Sequence, residues 1–202
     1  MSAAAKYLPA EERREVTIAT VLELAAEQNP TDITTAAIAG RMGLTQGALF
    51  RHFPNKAAIL QAVMTWISIK LMARLDKARQ GATSPLAALE AMFMAHVEFI
   101  AKHPGVPPLL FSELQRAERT VSKDLVQKFL KQYSQQLHRL FDEGKTINEL
   151  DPDLDSEGAA FMFIGTVQGL IIQSLLAGKV ELVREQTPRV FTIYRRGIRR
   201  TQ

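Results

Sequence analysis

Apolar residues recur along this chain at spacings of three and four, and no stretch keeps up the alternation of a strand. Val16, Ile18, Ala19, Val21, Leu22 and Ala25 predict an amphipathic helix over 9–28, ended by Asn29-Pro30. Thr34 or Thr35 can cap a short second helix holding Ile38 and Ala39, which Gly43 stops. Thr45 can cap a third that runs through Leu49 to about Phe53, and Asn55 a long fourth to about Arg79. GATSP marks a boundary near 81–85. Beyond it the pattern predicts helices over 85–102, 107–116, 119–143, 154–178 and 188–200. Gly144 is the expected stop of the third of these, DPDLDSE the cap of the fourth, and Thr187-Pro188 the start of the last. The chain reads as all-α.

Charge changes the picture in two places. The net charge is +4 over 202 residues, but residues 33–56 carry Arg41, Arg51 and Lys56 with no acid, and His52 besides. Arg189, Arg195, Arg196, Arg199 and Arg200 stand unopposed at the end of the chain. These last suit either a second nucleic-acid patch or the negative end of a helix, and the second reading is preferred. The chain has no cysteine, which excludes disulfides and thiolate metal sites. The first fifteen residues hold no apolar run suited to a signal peptide, so a cytoplasmic protein is expected.

The acid-free run also holds two glycines, Gly43 and Gly47, where a helix interior would lose about 1 kcal/mol to each relative to alanine. Two short helices joined at Gly43-Leu44-Thr45 describe a helix-turn-helix, with Gly43 supplying the left-handed turn. Ala39 is small where the helices cross, and Ile38, Leu44, Leu49 and Phe53 are expected to close a small core beneath them. Gly47 leaves room for close approach to DNA, and a carboxylate in this run would face phosphates.

Ile33-Thr34-Thr35, Ile38-Ala39, Gly43-Leu44-Thr45, Gly47, Leu49-Phe50, His52-Phe53 and Asn55-Lys56 together resemble the DNA-binding domain of the TetR family of bacterial transcriptional regulators. The resemblance implies residues 1–56 as a three-helix DNA-binding domain and 57–202 as a helical effector-binding and dimerisation domain. It implies that Gln46, Ala48 and Arg51 face base edges, where Gln46 can pair with adenine and Arg51 with guanine or a phosphate. Thr35, Thr45, His52 and Lys56 fall where family members hold phosphates. Phe50 departs from the pattern, because tyrosine is commoner there and its hydroxyl contact is missing; the ring can meet a thymine methyl or simply pack. Double-stranded DNA bearing a palindromic operator, a largely apolar small-molecule effector and a second copy of the chain are the implied partners, and the implied role is that of a repressor. The bare residues also suit a helical ligand carrier or interaction module whose DNA motif has lost its function.

Residues 159–177 run without a charge and meet the length rule for a membrane span. Gln168, Gln173 and Ser174 favour a helix buried in a soluble dimer instead, and no membrane association is expected. Gly158, Gly165 and Gly169 share one stripe that permits close packing on a symmetry mate. The resemblance puts the principal dimer helices here and at the C-terminus, where Tyr194 is a further interface candidate. If a pocket exists as in that family, its candidate lining is Trp66, Met92, His96, Phe99, Phe111, His138 and Phe163, a set that also suits plain core.

His96 and His103 lie seven residues apart on one face with no third ligand evident, and structural histidines are expected. Asp151-x-Asp153-x-Asp155 glances at a calcium loop but has Ser156 and Met162 where glycine and glutamate are needed, so helix capping is the expectation. No catalytic constellation appears. Neither an enzyme, a cofactor nor a metal is expected.

Overall fold

The computed structural model describes residues 9–179 and 181–200. Nine α-helices are found among the described residues: α1 (Ala10–Glu27), α2 (Thr35–Arg41), α3 (Gln46–Phe50), α4 (Lys56–Gln80), α5 (Pro85–Lys102), α6 (Val106–Leu114), α7 (Val121–Thr146), α8 (Ser156–Leu176) and α9 (Glu181–Ile198). A single turn of 3-10 helix at Pro30–Asp32 separates α1 from α2. The described residues hold no strand, only an isolated bridge between Leu150 and Arg199. The chain divides into two compact units, Met1–Ser68 with His103–Val126, and Ile69–Lys102 with Gln127–Gln202. Packing therefore does not change at the expected boundary after Lys56. Ile59 and Val63, in the first turns of α4, are fully buried in the first unit.

In the first unit α1 packs on α2 and α6, and α2 on α3. Val21, Ala25, Ile33, Ile38, Ala39, Leu49, Phe53 and Ile59 form its core. Gly105 sets the approach of α6 to α1: a Cβ placed there would stand 1.9 Å from the carbonyl oxygen of Leu22. In the second unit α5, α8 and α9 pack on one another. A run of aromatic contacts fills their centre, with Phe93 against Phe163 at 5.2 Å, Phe163 against Tyr194 at 5.6 Å and Phe191 against Tyr194 at 5.9 Å.

Two helix ends depart from the expectation. Gly144 does not stop α7, which continues to Thr146; Gly144 is buried, and a Cβ there would lie 2.6 Å from Cδ1 of Leu150. The left-handed residue that turns the chain is Asn148, at φ 59°. Pro188 does not start α9 but lies inside it. Proline in a helix interior costs about 3 kcal/mol. The stripe Val183, Thr187, Phe191, Tyr194 and Ile198 is buried through the break, and burying side chains of this size stabilises by about 1.5–3 kcal/mol each, which outweighs that cost.

Candidate nucleic-acid interface

The two short helices are fixed at each end by local chemistry. Thr34 Oγ1 accepts from the N–H of Ala37 at 3.0 Å and caps α2. At its far end Gly43 takes φ 68°, and the N–H of Leu44 donates to Ala39 O at 2.8 Å. Thr45 Oγ1 then accepts from Ala48 N at 3.2 Å and starts α3, and Asn55 Oδ1 accepts from Ala58 N at 2.9 Å and starts α4. Leu49 and Phe53 are buried beneath the turn, while Leu44 is only half-buried. Arg14 of α1 lies over the ring of Phe53, 4.8 Å from its centre, and holds the base of α3 from the other side.

This frame turns a set of side chains outward. Thr35, Ala48, His52 and Lys56 are half-buried; Thr45, Gln46, Gly47, Phe50 and Arg51 are exposed, Phe50 to 41%. Gln46 Nε2 donates to Thr35 Oγ1 at 2.7 Å, tying the first residue of α3 to the first of α2. Gly47 has nothing within 4 Å of where a Cβ would stand, so no contact within the chain explains its small size. Lys56 Nζ donates to Thr31 O at a long 3.5 Å.

Two cations behave differently from the sequence pattern. Arg41 is exposed but already engaged, since Nη1 donates to Glu27 Oε1 at 3.0 Å and Nη2 to Oε2 at 2.5 Å. The hydrogen bond from Arg41 holds the Glu27 carboxyl below the usual carboxylate range. A run without acids in sequence is thus not without them in space. Conversely, Arg13 of α1 joins the patch: its Nη1 approaches His52 Nε2 at 3.0 Å, and because a guanidinium only donates, that ring nitrogen accepts. A separation of 39 residues gave no signal for this pair.

Residues 18–63 match the model of the family described as bacterial regulatory proteins, tetR family. The matched segment spans α1, the turn and the start of α4. Residues 18–63 thus form a DNA-binding domain of the tetR type, and the protein is a DNA-binding transcriptional regulator. Among relatives, the nucleoid occlusion factor SlmA of Vibrio atlanticus (strain LGP32) is 24% identical over 157 residues, 78% of this chain and 80% of the relative. The fatty acid degradation regulator FadR from Bacillus halodurans shares the fold at a TM-score of 0.81 and 20% identity, over 96% of this chain and 99% of that one. The transcriptional regulator FadR from Bacillus subtilis, in complex with stearoyl-CoA, does so at 0.77 and 20%, over 89% and 96%.

The effector candidates are divided between the two units. Trp66 and Phe111 belong to the first unit, where Trp66 meets the edge of His103 at 5.2 Å. Met92, His96, Phe99 and Phe163 are buried in the second unit, and His138 is half-buried there, with Ser134 Oγ 3.4 Å from its Nε2. Burial pushes the His96 imidazole down to about 4. Its Nδ1 has no hydrogen-bond partner among the described residues, and neither has the hydroxyl of Tyr133, whose ring centre lies 5.7 Å from that of His96. Burial also pushes the Tyr133 hydroxyl well above the usual tyrosine range. Tyr133 escaped the sequence reading because it sits in a polar-looking stretch of α7.

Of the interface candidates, Gly158, Gly165 and Gly169 are exposed on α8. Gly165 and Gly169 have nothing within 4 Å of a Cβ position, whereas Gly158 clears Asp155, the N-cap of α8. Tyr194 is a correction: it points into its own chain, buried, and its hydroxyl donates to Ala159 O at 2.8 Å. The aspartates of the calcium-like stretch cap and turn the backbone, Asp155 Oδ1 accepting from Glu157 N at 3.0 Å and Asp151 Oδ1 from Asp153 N at 2.9 Å. Arg195 pairs with Glu90 at 3.7 Å, and Arg200 donates to Asn148 Oδ1 at 2.8 Å, so this part of the tail is engaged within the chain.

Proposed function

We propose that this regulator is a homodimeric repressor whose two α3 helices read a palindromic operator, under the control of a largely apolar small molecule held in the second unit. The observation that carries the reading is the outward face of α3. Gln46, Arg51 and Phe50 are exposed there around a glycine with open space beside it. Gln46, Ala48 and Arg51 meet base edges; Thr35, Thr45, His52 and Lys56 hold phosphates, with the N-terminus of α4 beside them. Gly47 lets the backbone approach the groove, and Phe50 offers its ring to a thymine methyl. Such a protein acts in the cytoplasm, where the operator is.

Dimerisation is supported by α8. Ala159, Ala160, Phe163, Val167 and Ile171 form its buried stripe. Its other side exposes Phe161 to 82% and Leu176 to 79%, with Gly165 and Gly169 between them. Large apolar side chains exposed along one face mark an interaction surface, and two copies of it give the two recognition helices that a palindrome needs, about 34 Å apart. Effector binding is supported by His96 and Tyr133, since buried polar atoms in a folded protein nearly always have partners. The Bacillus subtilis relative in fold was solved with stearoyl-CoA, whose acyl chain is long and apolar, and that part of the ligand agrees with this class.

A selection of bound duplexes from a random library, at two salt concentrations, tests the reading. An inverted repeat among the enriched sequences is the expected result. Weak, salt-sensitive binding with no enriched sequence, alongside binding of apolar molecules, would support a ligand carrier instead. The relatives named nucleoid occlusion factor favour a second reading, in which the chain serves nucleoid occlusion. Mapping bound sites in cells separates that from control of a few promoters.

A further inference from the structure

In the first unit a cavity of about 680 Å³ lies between the start of α4 and the segment that runs from α6 into α7. Its size is that of a small-molecule site. Of the side chains assigned to the operator only Lys56 lines it, and the N-terminus of α4, placed above beside the DNA phosphates, borders it too. The two helix starts that border it differ in charge. At α7, Thr120 Oγ1 accepts from Lys123 N at 3.1 Å and donates to the carboxylate of buried Glu113, and Asp124 stands in the first turn. The positive end of that helix is already matched.

The start of α4 is not matched. Its first turn has no acid, and the Asn55 side chain satisfies only Ala58 N. The N–H groups of Lys56 and Ala57, both on the cavity wall, have no acceptor within the helix. Lys56 and Arg116 add two positive charges to the lining. Ser122 gives an independent sign of a ligand. It is 5% exposed, lines the cavity, and its hydroxyl makes no hydrogen bond among the described residues. Leu60, Leu109 and Val121 supply apolar wall.

We propose that this cavity binds an amphiphilic anion, a carboxylate or phosphate on a short apolar body. The anionic group sits on the α4 amides, Lys56 and Arg116, away from Glu113, and the apolar body lies against Leu60, Leu109 and Val121. Lys56 exchanges its long bond to Thr31 O for the ligand. On the operator reading above, that withdraws Lys56 from a DNA phosphate, so ligand and DNA oppose one another, by a route separate from the second unit.

Octanoate and octyl phosphate, titrated into the full-length protein and followed by amide resonances, test the site; 1-octanol serves as the uncharged control. Saturable shifts at Lys56, Ala57 and Ser122 with at least one of the anions, absent with 1-octanol and about tenfold weaker in Arg116→Gln, are expected. Shifts confined to residues of the second unit, equal binding by Arg116→Gln, or no shift with either anion overturns the proposal. In a parallel titration the bound anion weakens operator binding several-fold in the parent but not in Arg116→Gln. Unchanged operator affinity with the anion bound overturns the opposition. A protein that binds no operator even without ligand overturns the operator reading instead, which the amide shifts do not depend on.

Discussion

Gln46 and Thr35 are joined by a hydrogen bond of 2.7 Å from the Gln46 side-chain amide to the Thr35 hydroxyl. The bond spans the turn and takes one of the two amide hydrogens of Gln46, which leaves the other hydrogen and the carbonyl oxygen for a base. An acceptor held this way suits the exocyclic amine of adenine or cytosine. Gln46→Ala is expected to lower operator affinity by about 1–3 kcal/mol and to flatten the preference at one base pair. Thr35→Val lowers affinity for all sequences and flattens the same preference only in part. Binding measured on the operator and its single-base variants separates the two, and the double variant departs from additivity by about 0.5–3 kcal/mol. Strict additivity would mean that the bond does not orient Gln46 on DNA.

Gly47 has opposite consequences for fold and for function. An alanine or leucine there meets nothing within the chain, and removing a helical glycine stabilises by about 0.5–1 kcal/mol. Gly47→Leu is therefore expected to raise the melting temperature while weakening operator binding at least about tenfold, because the new side chain occupies the space meant for the groove. A thermal melt and an operator titration on the same preparation check both signs. Retained operator affinity would remove the close approach at Gly47 from the DNA-reading scheme.

Much of this surface was legible beforehand because its signals are local. Capping threonines, a left-handed glycine and apolar spacing act over four or five residues, and α2, the turn and α3 follow from them. Distant partners were not legible. Glu27 takes Arg41 out of the apparent patch, and Arg13 enters it through His52. Neither pairing leaves a mark in the intervening sequence. Pro188 and Gly144 misled for a related reason: the helix ends they suggest are overridden by burial of Thr187 and Phe191, and by the close approach of Leu150. Tyr194 and Ile193 show the same limit at single-residue scale. Both are apolar enough for an interface, but helix rotation buries the first and exposes the second.

Gly105 carries a prediction about stability alone. Its missing Cβ is what lets α6 approach the backbone of Leu22 and Ala26, and those atoms are carbonyl and amide groups of a helix, not flexible side-chain ends. Gly105→Ala must push α6 away from α1. The expected loss is about 1–3 kcal/mol or more, read as a lower denaturation midpoint with little change in slope. An alanine variant as stable as the parent would show that the two helices part without loss.

His96 sets a pH dependence whose sign follows from its burial. Its imidazole is neutral in the folded chain down to about pH 4, against an ordinary value of 6.5. Above 6.5 both folded and unfolded forms carry it neutral, and its contribution is constant. As pH falls below 6.5 the unfolded chain takes up the proton and the folded chain does not, so stability drains away until about pH 4. The difference corresponds to roughly 3 kcal/mol. Denaturation midpoints across pH 4–7 should therefore fall more steeply for the parent than for His96→Gln, which cannot take up that proton. The two curves are expected to run parallel above pH 7, offset by whatever packing the substitution loses. Parallel curves below pH 6 as well would mean that His96 reaches solvent, and its place as a buried polar anchor beside Tyr133 would fall with that result.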